Sequence, residues 1–187
     1  LCYKPQAVMD RFGGGEQLGV RLTYFVEEEP MGTAGNVKNC ADHLGQEDFL
    51  VISGDCVCDL DLSRLIRFHQ ERGAQATLGL YRHKRPLEYG LVLTGEDGRV
   101  ERFVEKPAWG QVFTDQINTG IYVLSPAAME RVPANEAWDF GKNLFPALLQ
   151  EGAPLYGIPL EGYWCDMGDC SAYLDCVCDA LSGRIKL

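Results

Sequence analysis

Two aspartates occupy positions where a carboxylate could do chemistry. Asp55 sits in Leu50–Asp61, LVISGDCVCDLD, just after an apolar run and Gly54, so its side chain is expected at the carboxyl end of a strand. Asp166 lies between bulky residues and a glycine in Tyr163-Trp164-Cys165-Asp166-Met167-Gly168. Two carboxylates can hold Mg²⁺, which takes oxygen ligands and commonly completes its shell with phosphates and water. Either Asp alone could equally be a turn or cap residue.

Three more clusters have chemical reach. Glu29-Pro30-Met31-Gly32-Thr33-Ala34-Gly35 brackets a Thr suited to capping with two glycines, ahead of a helix whose first N–H groups could face a ligand. An ordinary Gly-rich loop is the plain alternative. Val104-Glu105-Lys106-Pro107 ends a strand with an acid and a base. Lys serves phosphate as a point charge and Glu accepts from sugar hydroxyls, although a solvated charge pair would look the same. Asn118, in Asn118-Thr119-Gly120, falls inside an apolar strand pattern, where its amide needs a partner. Gly13-Gly14-Gly15 is read as a loop, because it follows a helix and leads to a strand, the reverse of a phosphate cradle. His43, His69 and His83 are scattered, and no Ser-His-Asp or Cys-His arrangement emerges.

The elements that must position these groups follow from periodicity and punctuation. Helices are predicted over Lys4–Phe12, Thr33–Leu44, Leu62–Arg72, Asp139–Gln150 and Asp169–Leu181. Asp61 and Gly73 are the expected N- and C-caps of the third helix. Strands are predicted over Arg21–Val26, Asp48–Ser53, Ala76–Tyr81, Tyr89–Thr94, Arg99–Glu105, Ile117–Leu124 and Leu155–Pro159, with Gly95-Glu96-Asp97-Gly98 turning a hairpin. Alternating strands and helices argue for a mostly parallel sheet covered by helices, with ligands beyond the carboxyl ends of the strands.

The chain has 187 residues and is 46% hydrophobic, enough for one compact domain. Its net charge of −10, with scattered Lys and Arg, argues against nucleic acid as a partner. No apolar run approaches the ~18 residues of a membrane span, so no membrane partner is expected. The eight cysteines include Cys56-Val57-Cys58 and Cys176-Val177-Cys178, spacings poorly suited to zinc. Free thiols in the reducing cytoplasm are the expectation.

Taken together, the motifs resemble the sugar-1-phosphate nucleotidyltransferases, the family that makes NDP-sugars. EEEPMGTAG, VISGDCVCD, LEYGLV, RFVEKP, INTGIYVLSP and GYWCDMG occur in that family's order over nearly the whole chain. The resemblance implies a Rossmann-like α/β/α sandwich with a mixed, mostly parallel sheet. It implies an NTP and a hexose 1-phosphate as substrates and Mg²⁺ as cofactor. Glu27, Pro30, Gly32, Thr33 and Gly54 would line the nucleotide side. Tyr89, Gly90, Glu105, Asn118 and Trp164 would line the sugar side. Asp55 and Asp166 would be the metal carboxylates, and Lys106 would contact the sugar phosphate. The loop around Glu27 is most like mannose-1-phosphate guanylyltransferases, with glucose 1-phosphate enzymes as the alternative.

One part of the family pattern has no match. The opening strand and glycine-rich phosphate loop do not align with Leu1–Phe12, so roughly one βαβ-sized unit is expected upstream. The sheet is expected to lack its first strand, and this chain alone to be weak or inactive. Further domains of a longer parent chain, or a homo-oligomer, fit this pattern. Two readings compete: a sugar-nucleotide-binding or regulatory module without catalysis, and a glycosyltransferase using the D-x-D of Asp59-Leu60-Asp61.

Overall fold

The computed structural model describes residues 1–27 and 29–186; Glu28, the second residue of the EEEPMGTAG motif, lies outside them. The chain opens with α1 (Pro5–Phe12), whose first-turn Pro5 has no N–H to leave unpaired. Helices α2 (Gly32–Asn39) and α3 (Ala41–Leu44) take the place of the single helix expected over Thr33–Leu44, with a break at Cys40. There follow β1 (Phe49–Ile52), β2 (Cys56–Cys58), α4 (Leu62–Arg72) and β3 (Ala76–Arg82). The α4 boundaries are as expected: Asp61 accepts from Ser63 N at 3.0 Å and Arg64 N at 3.3 Å, and Gly73 adopts a left-handed φ of 54°. The hairpin forms from β4 (Leu91–Thr94) and β5 (Val100–Val104). Beyond it lie β6 (Gln116–Leu124), α5 (Pro126–Met129), a π-helical turn at Phe140–Leu144, and α6 (Phe145–Gln150). The chain finishes with β7 (Leu155–Pro159), β8 (Trp164–Asp166) and α7 (Cys170–Leu181).

The open sheet is mixed, in the order β5-β4-β6-β3-β7, with β1 also on β6. β1, β3, β4 and β7 run the same way, but β6 runs against β1, β3 and β4. The direct ladders are therefore mainly antiparallel, and β3–β7 is the parallel one. Alternation predicts the direction of burial rather than of the neighbour, so "mostly parallel" holds for strand direction and not for pairing. The predicted strand Arg21–Val26 is irregular chain among the described residues. β-rich composition makes a strand only where a ladder partner lies alongside. The short ribbon of β2 against β8 was not anticipated, since three-residue strands carry no periodicity.

Two apolar layers sandwich the sheet. On β6, Tyr122 and Leu124 point into a cluster with Phe140, Leu144, Phe145 and Leu148. Ile117, Ile121 and Val123 point the opposite way, towards Leu65 of α4, Ile158, Leu160 and Trp164. This two-residue alternation is what a strand buried on both faces requires.

Candidate functional site

β6 changes partner part-way along its length, and the site lies at that fork. Ile52 of β1 pairs with Ile121, and Leu91 of β4 pairs with Ile117 on the same edge. Between these pairs, Ser53 N donates to Gly120 O at 3.0 Å and Asn118 N donates to Gly90 O at 2.8 Å. One strand peels away at Ser53-Gly54-Asp55 and the other arrives at Tyr89-Gly90, leaving a crevice over Asn118–Gly120. Gly120 takes a φ of 78°, and a Cβ there would run into the Ser53 side chain. The glycine is thus needed for the close approach of the two chains.

The β2–β8 ribbon brings the two aspartates together. Cys56 pairs with Asp166, so Asp55 is one residue from Asp166's direct cross-strand partner, and Met167 N donates to Asp55 O at 3.0 Å. Burial, and then the negative charge of Asp55, push the Asp166 carboxyl above its usual range. A carboxylate whose ionisation is opposed by burial and by a second carboxylate beside it suits a hard divalent cation. Among the described residues, no group of three or more His, Cys, Asp and Glu side chains converges to hold a metal. The pair would therefore supply part of a shell and leave the rest to water and phosphate.

A cavity of about 230 Å³ is lined by Asp55, Asp166, Tyr89, Gly90, Glu105, Lys106, Asn118 and Trp164. Every residue expected on the sugar and metal sides is among them. The aromatic wall is tightly held: Tyr89 meets Trp164 edge-on at 5.4 Å, and Trp164 Nε1 donates to Thr119 O at 3.2 Å. His83, set aside in the sequence, lines neither this cavity nor the larger one beside it but packs edge-on against that wall, 5.1 Å from Tyr89 and 6.2 Å from Trp164. Burial first, and then Asp166, push the Tyr89 phenol up to about 12, so it stays a neutral donor.

Asn118 has the partner that its burial demands. Its Nδ2 donates to Tyr122 Oη at 2.9 Å, and Tyr122 is buried. Sequence reasoning missed Tyr122, although its i+4 spacing from Asn118 along one strand face was a usable signal. Glu105 is pushed up by burial, against the pull of Lys106 and Lys142. Its carboxylate fills the space beside two glycines: a Cβ on Gly90 would lie 2.6 Å from Glu105 Oε2, and one on Gly141 2.5 Å from it. Lys106 adopts a φ of 43°, unusual for a residue with a side chain and preceding Pro107. Such outliers gather at functional sites.

A larger cavity of about 1080 Å³ adjoins the first and shares Asp55, Glu105, Lys106 and Asn118 with it. It is lined by Glu27, Thr33 and Gly54 of the expected nucleotide set. Gly54 faces open space. Pro30 and Gly32 line neither cavity. Gly32, at φ 69°, would put a Cβ 2.5 Å from Trp138 O. The expected free N–H groups at the start of α2 are also taken. Ala34 N and Gly35 N donate to Trp138 O at 2.8 and 3.0 Å, and Thr33 N donates to Asp139 Oδ1 at 3.2 Å. Thr33 is not the cap: its hydroxyl donates to Asp139 Oδ1 and accepts from Phe140 N at 3.0 Å. The GTAG turn is thus a docking surface for Trp138–Phe140.

The D-x-D alternative is accounted for by structure. Asp61 caps α4. Asp59 accepts from Tyr163 N at 2.5 Å and Lys186 N at 3.0 Å, fastening the mouth of the ribbon. Neither aspartate lines the crevice.

The nucleotidyl transferase family model matches residues 2–183. The chain belongs to this family. It is 38% identical over 167 residues to a mannose-1-phosphate guanylyltransferase of Mycobacterium tuberculosis, covering 89% of this chain and 46% of that protein. It is 32% identical to a UTP–glucose-1-phosphate uridylyltransferase of Synechocystis, covering 100% of this chain and 51% of the relative. The chain spans about half the length of the curated relatives it matches. Its fold matches that of HddC from Yersinia pseudotuberculosis with a TM-score of 0.80 at 24% identity, over 97% of this chain and 76% of that one. A candidate glucose-1-phosphate thymidylyltransferase of Bacillus anthracis, crystallised with sucrose, gives 0.82 at 21% identity, over 97% and 73%. These neighbours establish the Rossmann-like nucleotidyltransferase fold. No helix among the described residues is long and apolar enough to cross a membrane.

Proposed function

We propose that this chain carries the sugar-phosphate half of a sugar-1-phosphate nucleotidyltransferase, a cytoplasmic enzyme most suited to making GDP-mannose from mannose 1-phosphate and GTP. The single observation that carries the reading is the fork in β6, which gathers Asp55, Asp166, Lys106, Glu105 and an aromatic wall around one crevice. In the reaction, an oxygen of the sugar phosphate attacks the α-phosphorus of the NTP. The new P–O bond forms as the Pα–O–Pβ bond breaks, and pyrophosphate leaves with that electron pair. The attacking phosphate is already ionised, so no side chain need take a proton.

The chain's own residues then hold and screen. Glu105 and Asn118 offer an acceptor and an amide to sugar hydroxyls, and Tyr89 and Trp164 exclude water from one face. Lys106 sets a positive charge against phosphate. Asp55 and Asp166 would hold Mg²⁺, which supplies charge neutralisation at the phosphate oxygens. Positioning and electrostatics are what phosphoryl-type transfers need.

The guanylyl preference rests on the loop around Glu27 and on the 38% identity to a mannose-1-phosphate enzyme. The uridylyltransferase relative, which matches the whole chain, supports glucose 1-phosphate as the second reading. The test is pyrophosphate release from each NTP with mannose or glucose 1-phosphate, beside calorimetric binding of each sugar phosphate. Turnover or binding favouring mannose 1-phosphate supports the proposal. Preference for glucose 1-phosphate selects the second reading. Sugar-nucleotide binding without turnover would fit a binding module instead. No response to any hexose 1-phosphate removes the assignment.

A further inference from the structure

The larger cavity is lined in part by the π-helical turn Phe140–Leu144, through Phe140, Gly141 and Lys142, and in this turn Leu144 N donates to Asp139 O at 3.2 Å. π-helical turns inside helices are uncommon and recur at functional sites. This one sets Gly141 against Glu105 and brings Lys142 to the lining of the larger cavity. Among the described residues, Lys106 and Lys142 are the two Lys or Arg side chains that line either cavity. The other charged side chains of the lining, among them Glu27, Asp55, Glu105 and Asp166, are acidic. A phosphate entering such a site in a chain of net charge −10 needs local cations.

Lys142 is held where it can serve. Its Nζ lies 3.4 Å from Asp139 Oδ2, while Thr33 fixes Asp139 Oδ1 through its N–H and hydroxyl. The Lys142 side chain is 65% exposed, and an ion pair so open to water is weak and easily exchanged. A flexible four-carbon stem lets the ammonium leave Asp139 for a better anion. Both lysines pull the Glu105 carboxyl down against its burial, so both charges lie near one carboxylate.

We propose that Lys142 is a second phosphate-contacting side chain, leaving Asp139 to share with Lys106 the phosphate of a sugar 1-phosphate at the Glu105 corner. This rests on the sugar-phosphate reading above. The full chain is titrated with mannose 1-phosphate by ³¹P NMR across pH, using wild type, Lys142→Ala, Lys142→Gln, Lys142→Arg and Lys106→Ala. We expect Lys142→Ala and Lys142→Gln each to weaken binding about tenfold, in keeping with one lost charge-assisted contact. The bound phosphate's own ionisation should move up towards its free value, and Lys142→Arg should restore both. A purely structural role for Lys142 would leave the phosphate titration unmoved. If Lys142→Ala and Lys142→Gln bind as wild type does while Lys106→Ala loses binding, this inference is overturned and the function reading stands. If wild type binds no hexose 1-phosphate, both fall.

Discussion

The two ends of the crevice are built differently. On the side proposed for the sugar, each expected residue sits on or beside a paired strand and lines the cavity. On the nucleotide side, the Gly-rich turn spends its backbone on Trp138 and Asp139, and Pro30 and Gly32 are turned away from the crevice. A strand ladder fixes the direction of every second side chain, so a polar residue there has a destination. A Gly-rich turn has many uses for its free N–H groups, and internal docking is one of them. Substitutions at matched positions on the two sides can test that division.

The largest effect is expected at the aspartate pair. Asp166→Asn should cut pyrophosphate release by about 10²–10³-fold, the usual cost of losing one preorganised electrostatic contact. The same change should raise the melting temperature without divalent cation, because Asp166 is disfavoured as an anion by burial and by Asp55. Activity down with stability up marks a functional charge. Activity and stability lost together would mean that Asp166 merely holds the ribbon.

Next come the glycines. Gly90→Ala should push Glu105 away, since the new Cβ would lie 2.6 Å from Oε2. It should raise the KM for the sugar phosphate about tenfold with little change in melting temperature. Gly32→Ala should do the reverse. Its φ of 69° and the Trp138 carbonyl 2.5 Å from the new Cβ point to a stability loss of about 1–3 kcal/mol, with the KM nearly unchanged. Chemical denaturation and steady-state kinetics on both variants would decide it. If Gly32→Ala spared stability and raised the KM for the nucleotide, the turn would belong to the binding machinery after all. Tyr122→Phe should have a smaller effect, about 1 kcal/mol in stability, since Asn118 Nδ2 loses its acceptor in the cavity wall.

The same contrast explains what could be read from the sequence. α4 was legible to the residue because Asp61, an apolar stripe and Gly73 all agree. Asp55 and Asp166 were legible as carboxylates beside glycines, but the ribbon that joins them was not, being too short for any period. Arg21–Val26 has strand composition without a ladder partner, and composition cannot report a neighbour. Lys142 and Gly141 were hidden because a π-helical turn shifts which residues face inward, and the spacing looks like an ordinary helix. His83 was set aside as one of three scattered histidines, yet its Nδ1 accepts from Arg85 N at 3.2 Å and its ring meets Trp164 edge-on at 6.2 Å.

Away from the crevice, α4 makes a separate and smaller prediction about acid. His69 is completely buried; its Nδ1 is 2.9 Å from Thr77 Oγ1, and its Nε2 lies 3.4 Å from Asp48 Oδ2 without hydrogen-bond geometry. Burial lowers its pKa below the usual 6.5, and the Asp48 charge only partly offsets this. The unfolded chain therefore binds the proton more readily than the folded one, so protonation favours unfolding. His69 contributes its full stability above about pH 6.5 and loses it as pH falls towards the lowered value. Melting temperatures measured from pH 7.5 down to 5 should fall along this limb, and His69→Gln should flatten it while leaving the sugar-phosphate KM at neutral pH unchanged. A limb as steep in His69→Gln as in wild type would shift the acid sensitivity to other groups, and a changed KM would mean that α4 is coupled to the crevice through β3 and β6.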